Sequence, residues 1–313
     1  MLNPGNYSGI ISAQSAVTFA GNFGGLHWRG KKMPPDVTDE VARMTEEAKI
    51  NNSPFFFAMM TMAKVKWRKI KMQAIHTMGL IKQYKDLVAV DRLNLEILQG
   101  ELFSLLGVNG AGKTTAIRML SCLTKPTGGD ALVGGCSVTK EPERVKRLIG
   151  VSPQETAVAP NLTVRENLEL ICGIHSFSKE KTAQKIKELS GQLGLDTVLH
   201  RKAGKLSGGW QRRVSIAMAL ISEPRILFLD EPTLGLDVIA RHDLWEVIRS
   251  LKGRITVVLT THYMEEAQTL SDRIGIMKDG HLLAVGTVEE LMDRAGARDF
   301  ETAFVSIVKE AQA

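Results

Sequence analysis

Three short runs of apolar residues mark the middle of the chain: Leu102-Phe-Ser-Leu-Leu106, Ile226-Leu-Phe-Leu229 and Ile255-Thr-Val-Val-Leu259. The first predicts an apolar strand. The other two, flanked by charged residues, are what buried parallel strands require. Upstream, Leu93, Leu95 and Ile97 alternate with polar residues, which predicts a half-buried strand that Gln99-Gly100 turns into the Leu102 strand. A further short strand is expected at Leu148–Ser152. Gly128-Gly129-Asp130 predicts a hairpin turn. Helical patterns follow. Thr163-x-x-Glu166 is a capping box opening a helix through Asn167–Ile171, Lys179 to Leu195 is amphipathic, and Thr287-x-x-Glu290 caps a late helix. No internal repeat is present. From about Gln73 onward the pattern is that of a mixed α/β domain.

Before Gln73 the pattern fails. Asn, Gly, Ser and Pro crowd positions 3–35, and only Val37 to Ile50 has a short helical pattern. Ten of the 40 basic residues but only five of the 34 acidic ones lie in residues 1–75, so +5 of the net charge of +6 resides there. The remainder is close to neutral, which removes most support for a nucleic-acid partner. Residues 1–72 therefore read as a poorly ordered, basic extension, and residues 73–313 as the functional domain. The run Lys64–Lys71 with Trp67 inside it reads as solvated. Its alternative is contact with acidic lipid headgroups at ~1 kcal/mol per charge.

Composition narrows the class. The chain has 313 residues, 44% hydrophobic and 24% charged, which is globular and not disordered. No apolar run approaches the ~18–20 residues needed to span a bilayer; Phe55–Met60 is the nearest. The first thirty residues lack the pattern of a secretory signal. Cys122, Cys136 and Cys172 form no CxxC, which argues against a disulfide framework or a zinc site and fits a reducing compartment. They read as small buried apolar side chains.

The chemistry begins at Gly107-Val-Asn-Gly-Ala-Gly-Lys113-Thr114, a GxxxxGK[ST] loop directly after a predicted strand. A chance match in a chain of average composition is about a one-in-a-hundred event. Its glycines let backbone N–H groups crowd round phosphate oxygens, and the following helix presents its positive end. Lys113 can reach the β- and γ-phosphates, and the Thr114 hydroxyl can ligate Mg²⁺. This predicts a nucleotide site. Asp230-Glu231-Pro232 ends a second buried strand, which delivers Asp230 to the sheet edge where it can hold Mg²⁺. Glu231 can act as general base toward water attacking the γ-phosphate.

Leu206-Ser207-Gly208-Gly209-Trp210-Gln211-Arg212-Arg213 precedes a helix expected over Val214–Leu220 and lies just upstream of the Asp230 strand. At this place it resembles the signature of the ATP-binding cassette (ABC) family. The remaining motifs occur in the family's order: Tyr84 upstream of the loop, Gln154 after Leu148–Ser152, Leu234-Gly-Leu-Asp237, and Thr261-His262, whose histidine falls 31 residues after Glu231. Trp210 stands where many family signatures have Gln. The resemblance spans about residues 73–305, and its wording is most similar to daunorubicin-resistance-type exporter ATPases.

The resemblance implies a P-loop NTPase fold: a RecA-like core sheet, an antiparallel β subdomain and an inserted helical subdomain at about residues 155–210. It implies ATP and Mg²⁺ as cofactors, with Tyr84 stacking on adenine. Gly107, Val108, Asn109, Gly110, Ala111, Gly112, Lys113, Thr114 and Thr115 would hold the phosphates. Thr114, Gln154 and Asp230 would hold the metal, and Glu231, His262 and Gln154 would be catalytic. Ser207, Gly208 and Gly209 would come from a second ABC ATPase domain, a homodimer being expected. A separate transmembrane permease would dock at the Q-loop edge, Glu155 to Leu168. The chain would then sit peripherally on the cytoplasmic face of the cell membrane and power an exporter of drugs, lipids or similar compounds. No nucleic acid is expected. The alternatives are a soluble ABC ATPase acting on DNA or ribosomes, and an importer ATPase.

Overall fold

A computed structural model describes residues 73–310. The expectations for residues 1–72, among them the helix at Val37 to Ile50 and the basic run at Lys64–Lys71, lie outside the described residues. No helix among the described residues is long and apolar enough to cross a membrane.

Two sheets form the frame. The smaller is antiparallel, in the order β2 (Leu87–Leu93), β1 (Gln73–Tyr84), β5 (Gly128–Val133) and β6 (Cys136–Ser137), with β3 (Glu96–Leu98) also pairing with β1. The larger has the order β11 (His281–Gly286), β10 (Arg273–Lys278), β4 (Leu102–Leu106), β9 (Thr256–Thr261), β8 (Ile226–Asp230) and β7 (Ile149–Ser152). It is parallel from β10 to β7, and β11 closes it as an antiparallel hairpin. Its central strands are fully buried because both faces are covered. Leu227, Leu229, Val257 and Leu259 face a cluster with the helices. The alternate residues Ile226, Phe228 and Val258 face a cluster with the antiparallel sheet.

The helices are α1 (Lys113–Leu120), α2 (Pro142–Lys146), α3 (Val164–Ile174), α4 (Lys179–Leu193), α5 (Gly208–Leu220), α6 (Val238–Leu251), α7 (Met264–Leu270), α8 (Val288–Ala295) and α9 (Phe300–Glu310). Both expected capping boxes are made, Thr163 with Glu166 and Thr287 with Glu290. Helix α4 stops at Leu193 because Gly194 takes the left-handed conformation that ends a helix. Cys136 and Cys172 are buried, Cys122 is partly so, and all three are free thiols.

The structure corrects three expectations. Gly128-Gly129 is not a hairpin turn but the start of β5, and the turn falls at Gly134-Gly135. Gly129 is needed for close approach: a Cβ there would stand 2.1 Å from the Gly79 carbonyl oxygen on β1. The Leu93–Ile97 segment is split between β2 and β3, although Leu93, Leu95 and Ile97 are all buried as the alternation required. The signature helix begins at Gly208, not Val214.

Candidate functional site

Four parallel strands end at one edge, and each delivers chemistry there. β4 runs into the glycine loop and α1, β7 into Gln154, β8 into Asp230 and Glu231, and β9 into His262. This is the carboxyl edge of the sheet, where open α/β folds bind ligands. A cavity of about 630 Å³ opens on it, lined by Tyr84, Asn109, Gly110, Ala111, Gly112, Lys113, Thr114, Thr115, Gln154, Glu231 and His262. A smaller hollow of about 400 Å³ lies at the opposite edge, beside Gly100, Arg225 and Gly253, and gathers none of these groups.

The loop's shape depends on glycine at two places above all. A Cβ on Gly107 would lie 2.2 Å from the Met277 carbonyl oxygen, and one on Gly112 would lie 2.3 Å from that of Ala89. Gly112 also caps α1 with φ of 98°, a value that L side chains rarely adopt. The result is a helix amino end facing the cavity, with its free N–H groups and positive dipole end available to an anion.

Lys113 is buried, and its ammonium donates to the carbonyl oxygens of Gly107 at 2.7 Å and Val108 at 3.1 Å. It also lies 3.4 Å from Glu231 Oε1. The other Glu231 oxygen, Oε2, is 2.7 Å from His262 Nδ1. Glu231 is thus held between a lysine and a histidine in the wall of the cavity, its backbone at a left-handed φ of 47°. A non-glycine residue there costs of order 1–3 kcal/mol, and such strain gathers at functional sites.

Asp230 is held by two hydroxyls. Thr114 Oγ1 donates to its Oδ1 at 3.0 Å, and Thr260 Oγ1 donates to the same oxygen at 2.5 Å. The Thr260 hydroxyl also accepts from the Glu231 N–H at 3.0 Å, so one side chain positions both acids. The motif reading passed over Thr260. Its signal is only that Thr260 is paired with Asp230 across β8 and β9, a register no local pattern reveals. It also passed over Leu87, Val88 and Ala89 on β2 and Asp279 and Gly280 in the turn between β10 and β11, which line the cavity outside any motif, whereas Leu234, which lines it too, opens the Leu234-Gly-Leu-Asp237 motif.

The geometry leaves the signature apart. Ser207 caps α5, Ser207 and Gly208 are exposed, and none of Ser207 to Gly209 lines the cavity. Gln211, after Trp210, turns its amide inward to the carbonyl oxygens of Ala203 and Leu206, while Arg213 lies over the Trp210 ring.

Comparisons with known proteins give the family. The family model described as ABC transporter matches residues 90–234. The daunorubicin/doxorubicin resistance ATP-binding protein DrrA of Streptomyces peucetius is 42% identical over 226 residues, covering 72% of this chain and 68% of that protein. The chain belongs to the ABC transporter family. The doxorubicin resistance ATP-binding protein DrrA of Mycobacterium tuberculosis is 41% identical over 226 residues, 71% of this chain and 68% of that one. Among solved structures, the dimeric post-hydrolysis state of the ATP-binding cassette MJ0796 bound to ADP and Pi superposes with a TM-score of 0.62. It shares 30% identity, with 68% of this chain and 98% of that chain covered. The ABC chain described here is accordingly a P-loop NTPase that binds and hydrolyses ATP, of the daunorubicin-resistance type.

Proposed function

We propose that this ABC ATPase works as a pair of cassettes driving a separate membrane permease, with Glu231 as the base for ATP hydrolysis. The observation that carries the reading is the placement of Glu231, fixed by Lys113 and His262 in the cavity wall. The glycine loop, Gly107 to Thr115, would hold the triphosphate through its N–H groups, Lys113 would meet the β- and γ-phosphates, and Tyr84 would stack on adenine. The Thr114 hydroxyl and the Asp230 carboxylate, bonded to each other, are hard oxygen donors that suit Mg²⁺, with Gln154 at the same cavity. Among the described residues no cluster of three or more His, Cys, Asp or Glu offers a fuller metal cage. A sparse set shared with substrate phosphates is the usual Mg²⁺ arrangement. Mg²⁺ held by Thr114, Gln154 and Asp230 would supply charge neutralisation to the substrate's phosphates. Glu231 takes the proton from the attacking water, and His262 orients that carboxylate.

The exposed position of Ser207 and Gly208 supports their use by a second copy, as does the dimeric state of MJ0796. Two cassettes would then close over ATP and part after hydrolysis, a population shift driven by contacts present in one state only. The permease would dock at Glu155 to Leu168, and the drug-resistance role in the names of the DrrA relatives favours an exporter of drugs or similar compounds. The chain would then lie on the cytoplasmic face of the membrane. Residues 73–313 would constitute the whole catalytic domain. The test is Glu231→Gln: it keeps ATP binding, accumulates an ATP-dependent dimer on gel filtration, and stops turnover, because an amide accepts a proton far less readily than a carboxylate. Hydrolysis at the wild-type rate would remove Glu231 from the role.

A further inference from the structure

Helix α5 is laid along strand β7 in a fixed register. Near its far end, Gly150 comes so close that a Cβ there would stand 2.3 Å from the Ala219 carbonyl oxygen. Nearer the site, the Ser152 and Ser215 hydroxyls share a hydrogen bond of 2.8 Å. Where the strand ends, Arg212 donates through Nη1 to the Pro153 carbonyl at 2.6 Å and through Nη2 to the Gln154 carbonyl at 2.7 Å. Residues 212, 215 and 219 recur at helical spacing on one face of α5, opposite strand positions that recur every second residue.

The last of these ties differs in kind. Arg212 is 5% exposed, and burial pushes its guanidinium pKa down, with the negative charge of Asp230 acting against that. A buried cation is costly unless its donors are satisfied. Here a planar fork grips two successive carbonyls, a geometry that an ammonium cannot copy. The carbonyls belong to the turn that places Gln154 in the cavity, and the arginine belongs to the helix that carries Ser207 to Gly209 at its amino end.

We propose that Arg212 is a positioning residue for ATP hydrolysis, clamping the Gln154 turn to the signature helix so that the two move as one body. This rests on the reading that Gln154 and Ser207–Gly209 take part in hydrolysis. Arg212 itself does not line the cavity, so it acts on turnover and not on ATP capture.

The experiment uses the full chain with MgATP and three variants: Arg212→Gln, Arg212→Lys and Ser215→Ala. Arg212→Gln binds ATP within about twofold of wild type by calorimetry, and its kcat falls about tenfold with little change in KM. Placed on the Glu231→Gln background, it weakens the ATP-dependent dimer. Arg212→Lys recovers part of the rate, since one ammonium reaches one carbonyl. Ser215→Ala removes a buried tie on the same helix face and leaves kcat near wild type, which separates clamping at the Gln154 turn from general loosening. Wild-type kcat in Arg212→Gln overturns the proposal, and so does an equal loss in Ser215→Ala. If Arg212→Gln melts below the assay temperature, Arg212→Lys decides, and wild-type kcat there also overturns it. A wild-type chain that hydrolyses no ATP would instead strike the underlying reading.

Discussion

Glu266 offers a test of the buried electrostatics behind the site. It lies on α7, four residues after His262, with 0% exposure. Trp245 Nε1, reaching from α6, donates to its Oε1 at 3.1 Å. Among the described residues its Oε2 has no hydrogen-bond partner, and neither does the buried hydroxyl oxygen of Thr233. Burial pushes the Glu266 carboxyl above the ordinary 4.5, the Trp245 N–H pulls it back, and the charge of Glu231 adds to the rise. The folded protein therefore holds a proton that the unfolded chain releases near pH 4.5. The sign follows: Glu266 contributes full stability below that pH, and the contribution falls as pH climbs toward the folded-state value. Between the two values one proton is at stake, so the loss is about 1.4 kcal/mol per pH unit. Glu266→Gln mimics the protonated acid, keeps an acceptor for Trp245 and supplies a donor toward Thr233. Urea unfolding of both proteins from about pH 5 to about pH 8 reads the difference directly. The variant's advantage should widen with pH at that slope and then level off. Parallel stability curves, or an advantage that shrinks as pH rises, would refute a protonated Glu266.

Lys113→Ala should weaken ATP binding by roughly two orders of magnitude, because charge-assisted hydrogen bonds to phosphate are lost; titration calorimetry on the folded variant checks it, and near-normal affinity would contradict the site. A chain that starts at Gln73 should retain the ATPase rate and melting temperature of the full-length protein, since β1 begins there and every motif lies beyond it. A truncated protein that melts several degrees lower would move the domain boundary toward the amino terminus.

The parts of the site legible in the sequence were those written in consecutive residues. Leu102–Leu106 followed by the glycine loop, and Ile226–Leu229 followed by Asp230-Glu231, each carry a strand and its chemistry in one stretch, and the structure sets both at one sheet edge. What depended on approach between distant segments was not legible. Gly129 looks like a turn residue until β1 is beside it, because the same absence of a Cβ serves a turn and a close contact equally well. The start of α5 was placed late because two glycines and a tryptophan are poor helix formers, whereas in the fold Gly209 packs against Ala240 and Trp210 against the helical cluster. The contacts of Thr260 and Arg212 were invisible for a related reason. Each owes its position to a neighbouring strand that the chain reaches only after long excursions.

The same geometry bears on how ATP binding must be weighed. Lys113 is already bonded to two loop carbonyls and paired with Glu231, and Thr114 is already bonded to Asp230. Phosphate and Mg²⁺ would compete for these groups, so binding exchanges bonds and the net gain for each falls below the several kcal/mol of an isolated pair. Exchange also explains why the acids need independent support. When Lys113 turns toward phosphate, Glu231 loses its ammonium partner while still 6% exposed, and what keeps it in place is His262 and the Thr260 bonds to its N–H.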